Sequence, residues 1–89
     1  MKLRLTIHGD VQGVFFRQNA RVVARRLGLK GKVRNNSDGT VSVEAVGNKS
    51  ELMSLLDFCR KGPENASVEK VEEEWSKDDE EYLGFEIEH

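Results

Sequence analysis

Apolar and polar residues alternate strictly at the start of the chain and then change to a helical spacing. Residues 2–8 place every second side chain on an apolar face, and this pattern predicts a half-buried strand. From about Phe16 to Leu27 the apolar residues recur mostly three or four positions apart, which predicts a helix with one buried face. Gly28 follows at the position where helices commonly end in a left-handed residue.

The next segment predicts a β-hairpin. Residues 30–36 have the pattern of a strand with Val33 facing inward, and residues 40–46 have the pattern of the returning strand. Between them, the sequence Asn36-Ser37-Asp38-Gly39 combines residue types that favour a tight turn. We therefore expect these two strands to pair with each other.

A second helix is predicted after the hairpin. Asn48, followed by Glu51 three residues later, resembles a capping box with asparagine as the cap, and Gly62-Pro63 marks the end of the helix. The apolar stripe between these signals consists of Leu52, Leu55, Leu56 and Cys59. Cys59 is therefore expected to be a core residue rather than a nucleophile.

The chain ends with a further strand pattern and a short closing one. We expect a strand over residues 67–75, a turn in the acidic run 77–81 and a closing edge strand over residues 83–87. The complete order predicts an α+β fold of the ferredoxin-like, split βαβ type (βαββαβ plus a short terminal strand), in which one antiparallel sheet carries two helices on one face. A length of 89 residues fits a single domain over residues 1–89. Many activities share this fold, so it does not identify a function by itself.

Composition and charge narrow the class of partner. The chain has 14 basic and 16 acidic side chains, for a net charge of -2, which supports neither a nucleic-acid partner nor an anionic membrane. The bases are concentrated in residues 17–34 and could attract a small anion, but a solvated helix face is sufficient to explain most of these charges. A single cysteine excludes an intrachain disulfide, and the chain has neither a membrane-length apolar stretch nor the pattern of a signal peptide. We expect a cytoplasmic monomer.

The most informative segment for chemistry is residues 9–17, Gly-Asp-Val-Gln-Gly-Val-Phe-Phe-Arg. It lies between the first strand and the first turn of a helix, where glycines and unpaired N–H groups form an anion site. Arg17 stands beside this site, and its guanidinium can donate two parallel hydrogen bonds to phosphoryl oxygens. On these residues alone, an ordinary glycine-rich connection followed by a surface arginine is the favoured interpretation.

Two signatures change that interpretation. Gly9-x-Val11-Gln12-Gly13-Val14-x-Phe16-Arg17 resembles the first signature of the acylphosphatase family, and Gly31-x-Val33-Arg34-Asn35-x-x-Asp38-Gly39-x-Val41 resembles the second. Both occur in the right order and on the predicted elements. The resemblance covers essentially the whole chain, and two signatures in register are far more specific than either one alone.

The resemblance implies an activity and a site. The expected reaction is hydrolysis of an acyl phosphate, a carboxylic–phosphoric anhydride, to a carboxylate and inorganic phosphate. Arg17 and Asn35 would be catalytic, with Arg17 holding the phosphate and Asn35 orienting water. The backbone N–H groups that complete the phosphate cradle would be those of Gln12, Gly13, Val14, Phe15 and Phe16. We expect a small-molecule acyl phosphate as the partner, no cofactor and no metal, since no group of residues has metal-ligand spacing.

Two alternatives remain open, and two positions depart from the family pattern. A binding module that kept the phosphate cradle but hydrolyses weakly or not at all is the main alternative, and a purely structural domain is a third possibility.

Asp10 stands where the family commonly has a basic or neutral residue, and Lys32 stands where an aromatic residue is usual. Of the two histidines, we expect His8 to be an exposed strand residue and His89 a loose terminus.

Overall fold

A sheet covered on one face by helices organises the protein. The computed structural model describes residues 1–77 and 80–89, and within them the chain forms five strands and two helices. In chain order they are β1 (Lys2–Asp10), α1 (Phe16–Arg26), β2 (Lys30–Asn35), β3 (Val41–Val46), α2 (Lys49–Lys61), β4 (Ser67–Ser76) and β5 (Phe85–Glu88). The strand order in the sheet is β4-β1-β3-β2-β5. The α+β, ferredoxin-like prediction is confirmed.

The terminal strand differs from the all-antiparallel arrangement expected from the sequence. Strands β4, β1, β3 and β2 pair antiparallel, but β5 pairs parallel to β2, with Ile87 opposite Val33. β4 and β5 lie at opposite edges of the sheet. β5 runs in the direction opposite to β4, which is also the direction of its neighbour β2. The sheet is therefore mixed. The turn expected in the acidic run falls partly on Asp78 and Asp79, which lie outside the described residues.

The alternation along β1 determines which face of the sheet holds the core. Leu3, Leu5 and Ile7 are completely buried, as their spacing predicts. The core joins them to apolar side chains of the other strands and both helices, among them Val33, Val41, Val43, Ala20, Ala24, Leu52, Leu55, Leu56 and Cys59. Burying this one face stabilises the layered arrangement, at about 25 cal/mol for each Å² of apolar surface removed from water.

The helix ends follow the sequence signals with one exception. Gly28 has a φ of 73° just after α1, as predicted, and Asn48 is the N-cap of α2. The side chain of Asn48 nevertheless makes no capping hydrogen bond, so the reciprocal capping box is not formed. The carboxylate of Glu51 accepts a hydrogen bond from the Ser50 hydroxyl.

The opposite face of the sheet carries a network of ion pairs. Lys2, at the start of the polar side of β1, is only 4% exposed because Glu44 and Glu80 pair with its ammonium at 3.3 and 2.5 Å. The hydrogen bond to Glu80 is the main reason that the pKa of Lys2 is raised. Lys32 belongs to the same network, because its ammonium nitrogen lies 3.3 Å from the carboxylate of Glu88 and 3.7 Å from that of Glu44. This departure from the family pattern therefore lies on the open sheet face.

Candidate active site

The loop between β1 and α1 curls around a small concave surface. Gly13 has a φ of 75°, a left-handed conformation that glycine adopts without a steric penalty. Gly9 serves a different purpose, since a Cβ atom there would lie 2.1 Å from the carbonyl oxygen of Ser67 in β4. The first glycine of the signature thus lets β1 and β4 approach each other, and the second lets the loop turn.

The side chain of Gln12 fastens this loop to the β2–β3 hairpin. Its Nε2 donates to the carbonyl oxygens of Asn36, at 2.8 Å, and Thr40, at 2.9 Å. Asp38 holds the same turn from the other side, because its carboxylate accepts hydrogen bonds from the N–H and the hydroxyl of Thr40. The hydroxyl bond is the main reason that the pKa of Asp38 lies below its usual value. The bonds of Gln12 therefore connect the loop to the turn that follows β2, and the bonds of Asp38 brace the turn itself.

A cleft of about 230 Å³ opens between the loop, the start of α1 and the ends of β2 and β5. Its lining residues are Val11, Gly13, Phe15, Phe16, Arg17, Gln18, Asn35, Ile87 and His89. Five of the seven residues expected from the sequence therefore line one cleft, although they come from two separate signatures. The other two, Gln12 and Val14, lie in the same loop; Gln12 is braced against the hairpin and Val14 packs against the core.

Arg17 lies in the first turn of α1, immediately after a residue that anchors the helix. Phe16 is 1% exposed, and its ring lies 6.0 Å from that of Phe58 in α2. Within residues 1–77 and 80–89, the guanidinium of Arg17 has no hydrogen-bond or ion-pair partner. Arg25, on the same helix, in contrast donates to the carbonyl of Phe85 and pairs with Glu86. The donors of Arg17 thus remain available to an anion in the cleft.

Asn35 is the last residue of β2 and lies on the helix side of the sheet, level with Val41 of β3. Its amide oxygen is buried, and it is the one buried side-chain polar atom of the described chain that has no hydrogen-bond partner. An unpaired buried acceptor costs about 1–3 kcal/mol. A buried polar group without a partner is rare in folded proteins, and this one belongs to a residue that lines the cleft.

Sequence reasoning missed the contributions of β5 and of Gln18 to the cleft. Because β5 lies parallel to β2 with Ile87 opposite Val33, the end of the chain reaches the level of Asn35. His89, expected to be a loose terminus, lines the cleft as a result. The alternation of Phe85 and Ile87 indicated an edge strand, but nothing in that pattern specified its partner.

The remaining candidate groups lie away from the cleft. Asp10 is exposed and does not line the cleft. The Nε2 atom of His8 lies 2.5 Å from Oε1 of Glu72 on the open face of the sheet. Cys59 is completely buried, and burial raises its pKa to about 12, so the thiol is a core group as predicted. In the described residues no group of three or more His, Cys, Asp or Glu side chains is placed to hold a metal ion. No helix among them is both long and apolar enough to cross a membrane.

Known proteins resemble this chain over nearly its whole length. Residues 3–87 match the family described as Acylphosphatase. An acylphosphatase from Pyrobaculum aerophilum is 48% identical over 83 residues, which cover 91% of this chain and 86% of that protein. The crystal structure of acylphosphatase from Bacillus subtilis superposes with a TM-score of 0.96 at 30% identity, covering 99% of this chain and 98% of the other. An acylphosphatase structure from Coxiella burnetii has a TM-score of 0.92 at 37% identity, with 98% and 90% covered. The chain therefore belongs to the acylphosphatase family.

Proposed function

We propose that this chain hydrolyses acyl phosphates to a carboxylate and inorganic phosphate, with Arg17 holding the phosphoryl group and Asn35 orienting the attacking water. Family membership supports the reaction. The observation that supports the two roles is that Arg17 and Asn35 line one cleft, each with polar atoms that no described residue satisfies.

The phosphoryl group is bound by the loop and by Arg17. The N–H groups of residues 12–16 and the N-terminus of α1 supply donors and partial positive charge. The guanidinium of Arg17 adds a full charge and two parallel hydrogen bonds. These groups stabilise the charge on the peripheral oxygens, which is the principal requirement of a loose phosphoryl-transfer transition state.

Asn35 acts on the water rather than on the phosphate. Its side-chain amide holds the water by hydrogen bonding and so directs the water oxygen toward phosphorus. The water oxygen forms the new bond to phosphorus while the bond to the acyl oxygen breaks, and the carboxylate leaves with the electron pair. A neutral amide cannot take up the proton, so a phosphoryl oxygen of the substrate receives it. The carboxylate is stable at neutral pH without protonation, so no general acid is needed.

No structural observation favours a binding module without turnover. That alternative gained support from Asp10 and Lys32, which depart from the family pattern. Asp10 is exposed, and Lys32 is engaged by Glu44 and Glu88 on the open face of the sheet. Neither residue lines the cleft, so neither is in direct contact with an anion bound there.

The experiment is an assay of benzoyl phosphate hydrolysis combined with a titration of inorganic phosphate, each with and without a chelator. The proposal predicts turnover that the chelator leaves unchanged, and phosphate binding that competes with the substrate. Phosphate binding without hydrolysis would contradict the proposal and favour the module. Loss of activity with the chelator would contradict the metal-free mechanism alone.

The proposal also covers the oligomeric state, the cellular location and the partners of the protein. We expect a monomer in the cytoplasm that acts on small molecules and binds neither nucleic acid nor membrane. Size-exclusion chromatography with light scattering checks the first point: a single species near 10.1 kDa supports a monomer, and a dimer mass contradicts it.

A further inference from the structure

Phe15 combines two features that oppose stability. Its backbone has φ 62° and ψ 22°, and in the described residues it is the one non-glycine residue with a positive φ. An L-residue in this left-handed region is strained, whereas glycine adopts it freely. The phenylalanine side chain is also 67% exposed, so little core packing offsets the strain.

The surrounding structure holds Phe15 in this conformation. Its carbonyl oxygen accepts hydrogen bonds from both the backbone N–H of Asn19, at 3.0 Å, and the side-chain Nδ2 of Asn19, at 2.8 Å. The two neighbouring residues, Val14 and Phe16, are packed against the core. Strain that neighbours hold in place in this way is characteristic of ligand sites.

The position of Phe15 in the cleft indicates which part of the substrate it meets. Arg17 and Asn35 contribute polar groups to the cleft lining, as do Gln18 and His89, whereas Phe15 and Ile87 contribute apolar lining. In an acyl phosphate, one bridging oxygen separates phosphorus from the acyl carbon. An acyl group attached to a phosphoryl held by the loop therefore lies within reach of a side chain that the same loop carries.

We propose that Phe15, together with Ile87, forms an acyl subsite that favours acyl phosphates with an aromatic or branched apolar acyl group over acetyl phosphate. This inference rests on the proposed function. An exposed aromatic ring offers a stacking surface to a flat acyl group, and a methyl group makes far less contact with it. The cleft, at about 230 Å³, is smaller than the usual range of about 300–1,000 Å³, so the preferred acyl group is a small one.

The experiment compares kcat/KM for benzoyl phosphate and for acetyl phosphate. In each enzyme the ratio of the two values cancels any change that a substitution makes in the phosphate cradle itself. Phe15→Ala and Phe15→Gly are expected to lower the benzoyl-to-acetyl ratio about 5- to 20-fold, and Phe15→Tyr to retain it. The matched control is Val22→Ala, which trims an exposed apolar residue of α1 that does not line the cleft and is expected to leave the ratio unchanged.

Thermal unfolding of the same variants checks the strain independently. Phe15→Gly relieves the left-handed strain and Phe15→Ala does not, so the glycine variant is expected to have the higher Tm, by about 4 °C. An unchanged ratio in both small variants overturns the subsite while leaving the proposed function intact. A chain that hydrolyses neither substrate overturns the proposed function, and the subsite with it.

Discussion

The side-chain amide of Gln12 donates a hydrogen bond to the main-chain carbonyl of Asn36 at 2.8 Å, although the two residues are 24 positions apart. This bond, with its partner to the carbonyl of Thr40, joins the loop that carries the N–H donors to the hairpin that carries Asn35. The two halves of the cleft thus come from different signatures, and the side chain of Gln12 joins them directly.

Gln12→Ala is expected to lower both stability and turnover. Both carbonyls keep a second donor, because Gly39 N–H bonds to Asn36 and Asn36 N–H bonds to Thr40. The cost is therefore modest, about 1 kcal/mol, which corresponds to a fall in Tm of about 4–8 °C. Turnover falls as well because the loop and Asn35 lose their fixed spacing. Calorimetry and steady-state kinetics measure the two effects, with the exposed Gln18→Ala as the control for stability. An unchanged Tm in Gln12→Ala would show that the bonds to the hairpin contribute nothing.

Asn35→Ala is expected to lower turnover without lowering stability. The substitution removes a buried oxygen that has no partner in the described chain, so the free energy of unfolding stays the same or rises by about 1 kcal/mol. The rate falls about 100-fold because the water loses its orientation. Chemical unfolding and an activity assay measure these two quantities, and Asn65→Ala, in an exposed loop, serves as the control. A destabilised Asn35→Ala would indicate a structural role instead.

Arg17→Ala is expected to lower kcat/KM about 10²–10³-fold, because it removes the charge and both hydrogen bonds at the phosphoryl group. Arg17→Lys recovers little, since an ammonium cannot supply the two parallel bonds of a guanidinium. Arg26→Ala is the matched control, because Arg26 is an exposed arginine of the same helix outside the cleft. If Arg17→Lys kept nearly the wild-type kcat/KM, a positive charge at this position would be sufficient and the two parallel hydrogen bonds would not be required.

Stability is expected to fall in acid because of Glu44. Burial raises the pKa of this carboxyl, but the hydrogen bond from Lys2 and the charges of Lys32, Lys2 and Arg4 together outweigh it, so the pKa lies below its ordinary value of 4.5. A carboxyl whose pKa is lower in the folded chain binds fewer protons there than in the unfolded chain. Its contribution is therefore complete above the unfolded pKa and is lost as the pH falls through the folded one.

Urea unfolding from about pH 7 to about pH 3 measures this dependence. The free energy of unfolding is expected to decrease below about pH 5, and Glu44→Gln is expected to flatten the curve and to cost about 1–2 kcal/mol at neutral pH, because Lys2 stays buried with one partner fewer. Glu64→Gln, in an exposed loop, is the control. An equally steep acid dependence in Glu44→Gln would assign the effect to other carboxylates.

The elements were predictable where one face of each is buried, because burial imposes a period on the sequence. Leu3, Leu5 and Ile7 alternate and are all buried, and Gly28 and Asn48 bound their helices as expected. The site residues were predictable only through the two signatures, since Arg17 taken alone has the pattern of a surface arginine.

Features that depend on distant partners were not predictable. Lys2 is buried because Glu80, which follows the last long strand, pairs with it across 78 positions. His89 reaches the cleft because β5 adds to β2 rather than to another edge. Local periodicity contains no information on either pairing, and the side-chain bonds of Gln12 likewise depend on where the hairpin folds back.

The division of roles between Arg17 and Asn35 is tested most directly by one kinetic measurement. Benzoyl phosphate hydrolysis is followed in the wild-type chain, Arg17→Ala and Asn35→Ala, with inorganic phosphate as a competitive inhibitor. The account predicts that Asn35→Ala loses kcat while its inhibition constant for phosphate is unchanged, and that Arg17→Ala binds phosphate much more weakly. Full turnover in Asn35→Ala, or unchanged phosphate inhibition in Arg17→Ala, would contradict it.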